Sequence, residues 1–518
     1  MRQPAPSCPA ALARLVASSA LLGRAMVPMN PTHTLGTLFP APASALGEAA
    51  DWAVSGIATD SRRITPGQVF FALPGDRVNG ETFAREAVER GAIAVVAEGR
   101  PLLPVKTPLL RVEDVKRDLR RALGVFFDAP ERALRLVALT GSSGKTVTAH
   151  LWRALQGGDP GLIGTIHYAI GARTLPAYRT TPEAVELFPL LAQMRDHGCT
   201  EAVVEVSSHA LVQGRVQGLP FADAAFLNLS PEHLDYHGGM DGYFDAIARL
   251  YDGRNGPPPR RVLLNAADPF SGRLRDRLEP GAEVLTFGPG GDVRAEEVQL
   301  TAAGAVIDLV TPWEHARVRS PLPGRLNVDN VLVAIALARW AKMPFPEVAE
   351  RLAQFGGVRG RLERVPNDRD LQVYVDYAHT PTAYAQVLLM LREITPGRLI
   401  VVFGCGGDRD PAKRPVITRT VAESADLAIA TADNPRSETV DAIFADMAAG
   451  LRAGDTVQFI HDRRQAIGAA LDAAQPGDTV LLAGKGHEAF QEWAETVTPF
   501  DDRAVARAWL NPLREEGA

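Results

Sequence analysis

The chain has 518 residues, with 55 Lys+Arg against 61 Asp+Glu and a formal net charge of −6. At roughly 100–200 residues per domain, that length predicts about three domains rather than one. An apolar fraction of 46% and a charged fraction of 22% exclude a disordered or fibrous chain, and the mild acidity argues against the clustered basic surface of a nucleic-acid binder. The three cysteines, Cys8, Cys199 and Cys405, are far apart and odd in number. They indicate neither a disulfide framework nor a zinc site, and a reducing cytoplasm fits them best.

Residues 1–34 read as an N-terminal tail. The run Ala10–Leu22 is interrupted by Arg14, and it is too short and too polar to span a membrane. The expectation is a disordered tail, or an upstream start with Met29 the ordinary beginning. No other stretch reaches about 18 uninterrupted apolar residues, so no transmembrane segment is predicted.

A first block, 35–115, alternates short apolar runs and turns with a helix near Phe83–Gly91 and the strand AIAVVAE, a β/α pattern. The second, 116–357, has its first strand at Leu134–Thr140, followed by GSSGKT and a helix through Leu155. The strands Ala202–Ser208 and Arg261–Asn265 come later, and Gly253–Arg261 is a surface loop within the block. This predicts a mostly parallel sheet with helices on both faces. The third block, 358–518, repeats the logic with LQVYVDYA, RLIVVFG, LAIATAD and DTVLLAG. The fold class is α/β, with a central parallel sheet bearing a phosphate-binding loop and a Rossmann-like C-terminal domain.

The strongest local signal is Thr140-Gly141-Ser142-Ser143-Gly144-Lys145-Thr146, between a strand and a helix. Glycines let the backbone wrap phosphate oxygens, the helix N-terminus favours negative charge, and Lys145 reaches the β- and γ-phosphates. Thr146 is placed to hold Mg²⁺. Leu139 occupies the position of the first glycine in the full Walker pattern; the competing reading is an ordinary Gly/Ser turn. Glu205 ends the next candidate strand and could reach the same magnesium, or it could simply face water. Ser207, Ser208 and His209 follow it at the strand end where open α/β sheets place ligands. Farther on, His233, Asp235 and His237 fall within five residues, a cluster that suits a metal or phosphate site or a plain polar loop.

GSSGKT resembles the GT(N/K)GK(T/S) loop of the Mur ligases, the ATP-dependent amide-forming enzymes of peptidoglycan precursor synthesis. TTPE (Thr180–Glu183), EVSSHAL, NLSPEHLDYHG, GRLE, VDYAHTP, GCGGDRD, DNPRSE and GKGHE follow in family order, from about Asp60 to Arg503. The resemblance implies the three-domain Mur ligase architecture, in a cytoplasmic monomer acting on small molecules, with no nucleic-acid or membrane partner. It is strongest to members that add the third residue to UDP-N-acetylmuramoyl-L-alanyl-D-glutamate. ATP and Mg²⁺ are the implied cofactors.

The resemblance also implies residue roles. Lys145, Glu205 and His233 would be catalytic, with Thr146 and Glu205 on one magnesium and His233 on a second. Ser61, in the segment Asp60-Ser61-Arg62, would meet uridine. Thr180, Thr181, Ser208 and Arg215 would meet the muramoyl peptide. Asn327 and Asn330 would hold adenine, and Arg361 and Asp376 would close over nucleotide. In DNPR, Asp433, Asn434, Pro435 and Arg436 match the form that accepts meso-diaminopimelate, whose second carboxylate a guanidinium can hold bidentately. Arg409, Gly484 and Glu488 would complete that pocket. DNPR also reads as a turn between strand and helix.

One departure matters. Where the family carries a carbamylated lysine that helps hold the second magnesium, this chain has Ile247, and no lysine lies between Lys145 and Lys342. Arg249 is near but cannot be carbamylated, and would more readily meet phosphate. PGDRVNG (Pro74–Gly80) also lacks the histidine-glutamine pair of some relatives. The alternatives are a paralogue joining a different acid and amino acid outside cell-wall synthesis, or a non-catalytic nucleotide-binding relative.

Overall fold

The computed structural model describes residues 33–511 apart from 41–45, 76–77, 105 and 302. The expected tail lies outside the described residues except at its last two positions, where Thr34 caps the short helix Leu35–Leu38 in a reciprocal bond with Thr37. Two residues of PGDRVNG also lie outside them. Among the described residues no helix is long and apolar enough to cross a membrane. The described chain divides into two compact units, one ending at Val293 and one beginning at Arg294.

The first unit contains two sheets. β1 (Gly56–Ala58), β2 (Gln68–Phe71), β3 (Ala94–Ala97) and β4 (Leu109–Arg111) form a parallel sheet in sequence order. The larger sheet is built from β5 (Arg135–Thr140), β6 (Gly161–Ile163), β7 (His167–Ile170), β8 (Arg173–Pro176), β9 (Glu201–Glu205), β10 (Phe221–Phe226), β11 (Arg261–Asn265) and β12 (Glu283–Phe287). Its order is β12-β11-β10-β5-β9-β6-β7-β8; every pair is parallel except β6–β7 and β7–β8. The β5 residues Leu136–Leu139 are fully buried, as a parallel strand covered on both faces requires. The leucines and the valine among them each contribute roughly 1.5–3 kcal/mol of burial.

Register decides what meets at the sheet's carboxyl edge. Leu139 is level with Glu205, and Thr140 with Phe226. Consequently the loops after β5, β9 and β10 emerge side by side, where ligands bind in open α/β sheets.

The second unit opens with an antiparallel sheet of β13 (Arg294–Thr301), β14 (Gly304–Val310) and β15 (His315–Ser320), followed by the buried helix Arg325–Trp340. Its main sheet uses β16 (Glu363–Arg364), β17 (Gln372–Asp376), β18 (Leu399–Phe403), β19 (Leu427–Thr431), β20 (Val457–Ile460) and β21 (Thr479–Ala483). The order is β16-β17-β21-β18-β19-β20, parallel throughout except for β16–β17. Alternate residues separate two cores. Leu399, Val401 and Phe403 pack into one cluster, Ile400 and Val402 into the other, the period-2 pattern of a doubly covered strand. On the second face the helices Arg463–Ala473 and Asp502–Leu510 are joined by a fully buried pair. Arg463 Nε and Nη2 reach the two oxygens of Asp502 at 2.8 and 2.7 Å, and Nη2 also donates to the Ala483 carbonyl at 2.9 Å.

Candidate functional site

In the first unit the site is assembled at the carboxyl edge of the large sheet. The loop after β5 runs into the helix Lys145–Gln156. Gly141 has φ 134°, and a Cβ there would stand 2.8 Å from the Asn228 carbonyl, so the backbone passes where only glycine fits. Asn228, just after β10, clamps the loop. Its Oδ1 accepts from Ser143 N at 2.9 Å, its Nδ2 donates to the Ser143 carbonyl at 3.1 Å, and its own carbonyl accepts from Ser142 N at 3.1 Å. The Ser142 hydroxyl lies 3.2 Å from Tyr243 Oη and accepts from Ser230 N at 3.0 Å. Lys145 folds back so that its Nζ donates to the Gly141 carbonyl and to that of Ser142 at 3.1 Å.

Glu205 does not face water. It is fully buried, and its carboxylate accepts three bonds: Thr146 Oγ1 at 2.8 Å, Thr165 N at 3.0 Å and Thr165 Oγ1 at 3.0 Å. The Thr165 hydroxyl lies 3.1 Å from that of Thr180. One threonine hydroxyl and one carboxylate oxygen, side by side at a phosphate-binding loop, are a donor set that fits Mg²⁺ with water and phosphate oxygens completing the shell. Thr165 and Asn228 are absent from the motif-based assignment. The only sequence signals for them are a hydroxyl just past β6 and the first residue of NLSPEH.

Beside this core lie the residues expected to meet the peptide. The Thr181 hydroxyl donates to the Glu205 carbonyl at 2.7 Å and accepts from Ser207 N at 3.1 Å, and Arg215 Nη1 donates to the Thr181 carbonyl at 2.9 Å. Ser208 is turned inward, its hydroxyl 2.8 Å from His237 Nε2. It is Ser207 whose hydroxyl stands beside Thr181, at 3.3 Å. In the small sheet, Asp60 caps a tight turn and grips Arg62 through Nε and Nη2 at 2.9 and 2.8 Å; that bond holds the Asp60 carboxyl below its ordinary range. The Ser61 hydroxyl donates to Glu86 at 2.9 Å.

His233 has a left-handed backbone, φ 55°, and its ring lies 4.7 Å from that of His209. Burial, aided by His233 and His237, pushes His209 down to about 4. Among the described residues no three His, Cys, Asp or Glu side chains converge as a metal-ligating group. Ile247 is 1% exposed and belongs to the apolar core. Arg249 lines a cavity of about 530 Å³ together with Tyr236, His237 and Asp245, and its Nε has no hydrogen-bond partner among the described residues. Ile247 therefore offers a second magnesium no oxygen in place of the carbamate, while Glu232 Oε1 lies 3.8 Å from His233 Nε2.

In the second unit, Asn327 donates to the Pro323 carbonyl at 2.8 Å and accepts from Asn330 at 3.0 Å, both side chains buried at the start of their helix. Arg361 stacks over Tyr377, 5.0 Å from the ring centroid. Asp376 accepts from Leu362 N and Ala378 N at 2.8 Å each, while burial pushes its carboxyl up.

The other expected residues do come together, in the loops after β18, β19 and β21. Arg409 and Arg436 flank Gly406: a Cβ there would lie 3.1 Å from Arg436 Nη1 and 3.7 Å from Arg409 Cγ. Arg436, at φ 54°, donates from Nε to Glu492 at 2.9 Å and from Nη1 to the Gly407 carbonyl at 2.7 Å. A carboxylate can therefore approach its Nη1–Nη2 end. Asn434 Nδ2 donates to Glu488 at 2.8 Å. Gly484, at φ 107°, leaves room for Asp433, whose Oδ2 would be 2.5 Å from a Cβ. DNPR lies in the connection between β19 and the next helix, where Glu438 N donates to the Pro435 carbonyl at 3.1 Å, and its side chains still converge.

Comparison with known proteins agrees with this geometry. Three family descriptions match the chain: "Mur ligase family, catalytic domain" over residues 53–129, "Mur ligase middle domain" over 139–338, and "Mur ligase, glutamate ligase domain" over 360–486. A UDP-N-acetylmuramoyl-L-alanyl-D-glutamate–2,6-diaminopimelate ligase of Solibacter usitatus is 42% identical over 469 residues, 89% of this chain and 94% of that protein. One of the same name from Gloeobacter violaceus is 42% identical over 90% of this chain and 95% of its own length. A solved structure of a ligase of that name superposes with a TM-score of 0.68 at 32% identity, covering 92% of this chain and 99% of its own. The chain belongs to the Mur ligase family.

Proposed function

We propose that the chain is a cytoplasmic, ATP-dependent ligase that joins meso-diaminopimelate to UDP-N-acetylmuramoyl-L-alanyl-D-glutamate for peptidoglycan synthesis. The acceptor carboxylate attacks the γ-phosphorus of ATP and ADP departs. The amine of diaminopimelate then attacks the acyl phosphate, loses a proton and expels inorganic phosphate. Such transfers rest on positioning and charge neutralisation rather than on a protein nucleophile. The amides of the loop Gly141–Thr146 and the helix behind it would hold the phosphates, and Lys145 would swing from its loop carbonyls to the γ-phosphate. Thr146 and Glu205 would hold Mg²⁺, which when bound neutralises phosphate charge. Thr180, Thr181, Ser207 and Arg215 would orient the peptide, and Ser61 would lie against uridine.

The observation that carries the choice of amine is that Arg409, Arg436 and Glu488 lie in neighbouring loops at one sheet edge, with Asn434 bonded to Glu488 between them. Two cations and an anion complement an amino acid with a carboxylate and an ammonium at each end. Phosphate release by purified protein with ATP, Mg²⁺ and the UDP-muramoyl dipeptide tests this reading. Stimulation by meso-diaminopimelate supports it, and stimulation by lysine alone would remove the Arg436 argument. A second reading, a paralogue joining a different acid and amino acid, is favoured by the buried Ile247; a panel of acceptors and amines separates the two.

A further inference from the structure

Lys485, in the loop after β21, is fully buried, its side chain 0% exposed, whereas Glu488 three residues on is 19% exposed. A lysine is almost never buried to that degree without partners that need it. Lys485 Nζ donates to Asn434 Oδ1 at 2.9 Å and to Glu488 Oε2 at 3.3 Å. Asn434 Nδ2 donates to the same Glu488 oxygen at 2.8 Å, closing a ring of three side chains. The ring joins the loops after β19 and β21, and Asn434 Oδ1 also accepts from Glu492 N at 3.1 Å. The ammonium stands 5.6 Å from the Phe490 ring centroid. One buried cation thus bonds both Asn434 and Glu488, and among the described residues no hydrogen bond reaches the other Glu488 oxygen.

Resting on the amine-pocket reading above, we propose that Lys485 is a positioning residue for the amine substrate: it acts through Glu488, keeping that carboxylate ionised and aimed at the substrate's ammonium. Its role is that of a counter-charge, since its ammonium is fully buried against the Glu488 carboxylate. Burial pushes the Glu488 carboxyl up, Lys485 opposes this, and Asp433 from the loop after β19 adds to the rise. Tyr377, after β17, also faces Glu488. Without Lys485, Glu488 would sit between low-dielectric walls and Asp433 and would take up a proton at higher pH.

The test uses the full chain and four variants: Lys485→Met, Lys485→Gln, Glu488→Gln and Lys485→Met/Glu488→Gln. Each is assayed by amine-dependent phosphate release, with Tm measured alongside, and Lys485→Gln serves if the methionine variant does not fold. The expected result is a KM for the amine raised about 10- to 100-fold by either single substitution, with KM for ATP unchanged. In the Lys485 variant the acid limb of kcat/KM for the amine moves up by about one pH unit or more, because the lost cation raises the Glu488 carboxyl. The double variant should be no worse than Glu488→Gln alone, since a relay has nothing left to position. Additive losses, or equal losses for amine and ATP, would mean a merely structural lysine and overturn the proposal. If Glu488→Gln leaves the amine KM unchanged, the pocket reading itself fails and the proposal with it. If Glu488→Gln raises it and the Lys485 variants do not, the proposal alone fails.

Discussion

Replacing Glu205 with glutamine separates chemistry from stability, because the two shapes are nearly equal and only the charge is lost. The carboxylate accepts three bonds at 2.8, 3.0 and 3.0 Å from Thr146 and Thr165. Bonds to a charged group contribute about 1.5–3 kcal/mol each and neutral ones about 0.5–1.5, so the substitution forfeits roughly 3 kcal/mol of gross interaction. Glu205 is fully buried, and relief from burying its charge offsets much of that loss. The amide can still accept from Thr165 N and donate to the two threonine hydroxyls. Net destabilisation of about 1–2 kcal/mol follows, measurable by urea unfolding. The metal's carboxylate ligand, however, has no substitute. A fall of about 100- to 1,000-fold in kcat, worth roughly 2.7–4 kcal/mol, is expected for losing one preorganised charge at a transferring phosphoryl group. Activity within about threefold of the parent chain would refute the assignment. So would a stability loss large enough to account for the missing activity through unfolding.

The buried pair offers a structural control: Asp502→Ala leaves the Arg463 guanidinium buried without its ion-pair partner, and should cost about 3–5 kcal/mol of stability in denaturant unfolding. Because Ile247 leaves no amine to carbamylate, the rate should stay within about twofold when dissolved CO₂ is removed; bicarbonate-dependent recovery of activity would contradict this. His209 has its pKa pushed down to about 4 from 6.5, so the folded state binds its proton less readily than the unfolded chain. Stability from this imidazole is present above about pH 6.5 and declines as pH falls toward 4. Replacing His209 with phenylalanine should therefore flatten the acid side of a plot of Tm against pH, and an unchanged slope would count against the assignment.

Much of the phosphate site is legible locally. The loop after β5 and Glu205 lie in contiguous motifs whose strand-end placement follows from hydrophobic patterning. Asn228 and Thr165 are not legible, because their roles arise from strand order: β10 and β9 flank β5, and β6 lies beyond β9. The substitution of Ser207 for Ser208 beside Thr181 has a local cause. Ser207 caps the helix Ser208–Gln213, and consecutive residues at a helix start project in different directions. Lys485 is visible within GKGHE, yet its burial and its link to Asn434 depend on β18 lying between β21 and β19. Glu492 has no motif at all and is brought to Arg436 by the bridge between Arg436 and Trp493. The antiparallel sheet β13–β15 also escapes a reading tuned to apolar runs, since HARVRS alternates and exposes its polar face.

Amine-dependent release of inorganic phosphate by the full chain, with ATP, Mg²⁺ and UDP-N-acetylmuramoyl-L-alanyl-D-glutamate, tests the central claim most directly. Release should require meso-diaminopimelate and should not be supported by L-lysine, which lacks the carboxylate that Arg436 would hold. Absence of amine-dependent release with every amino acid tried would rule out a ligase.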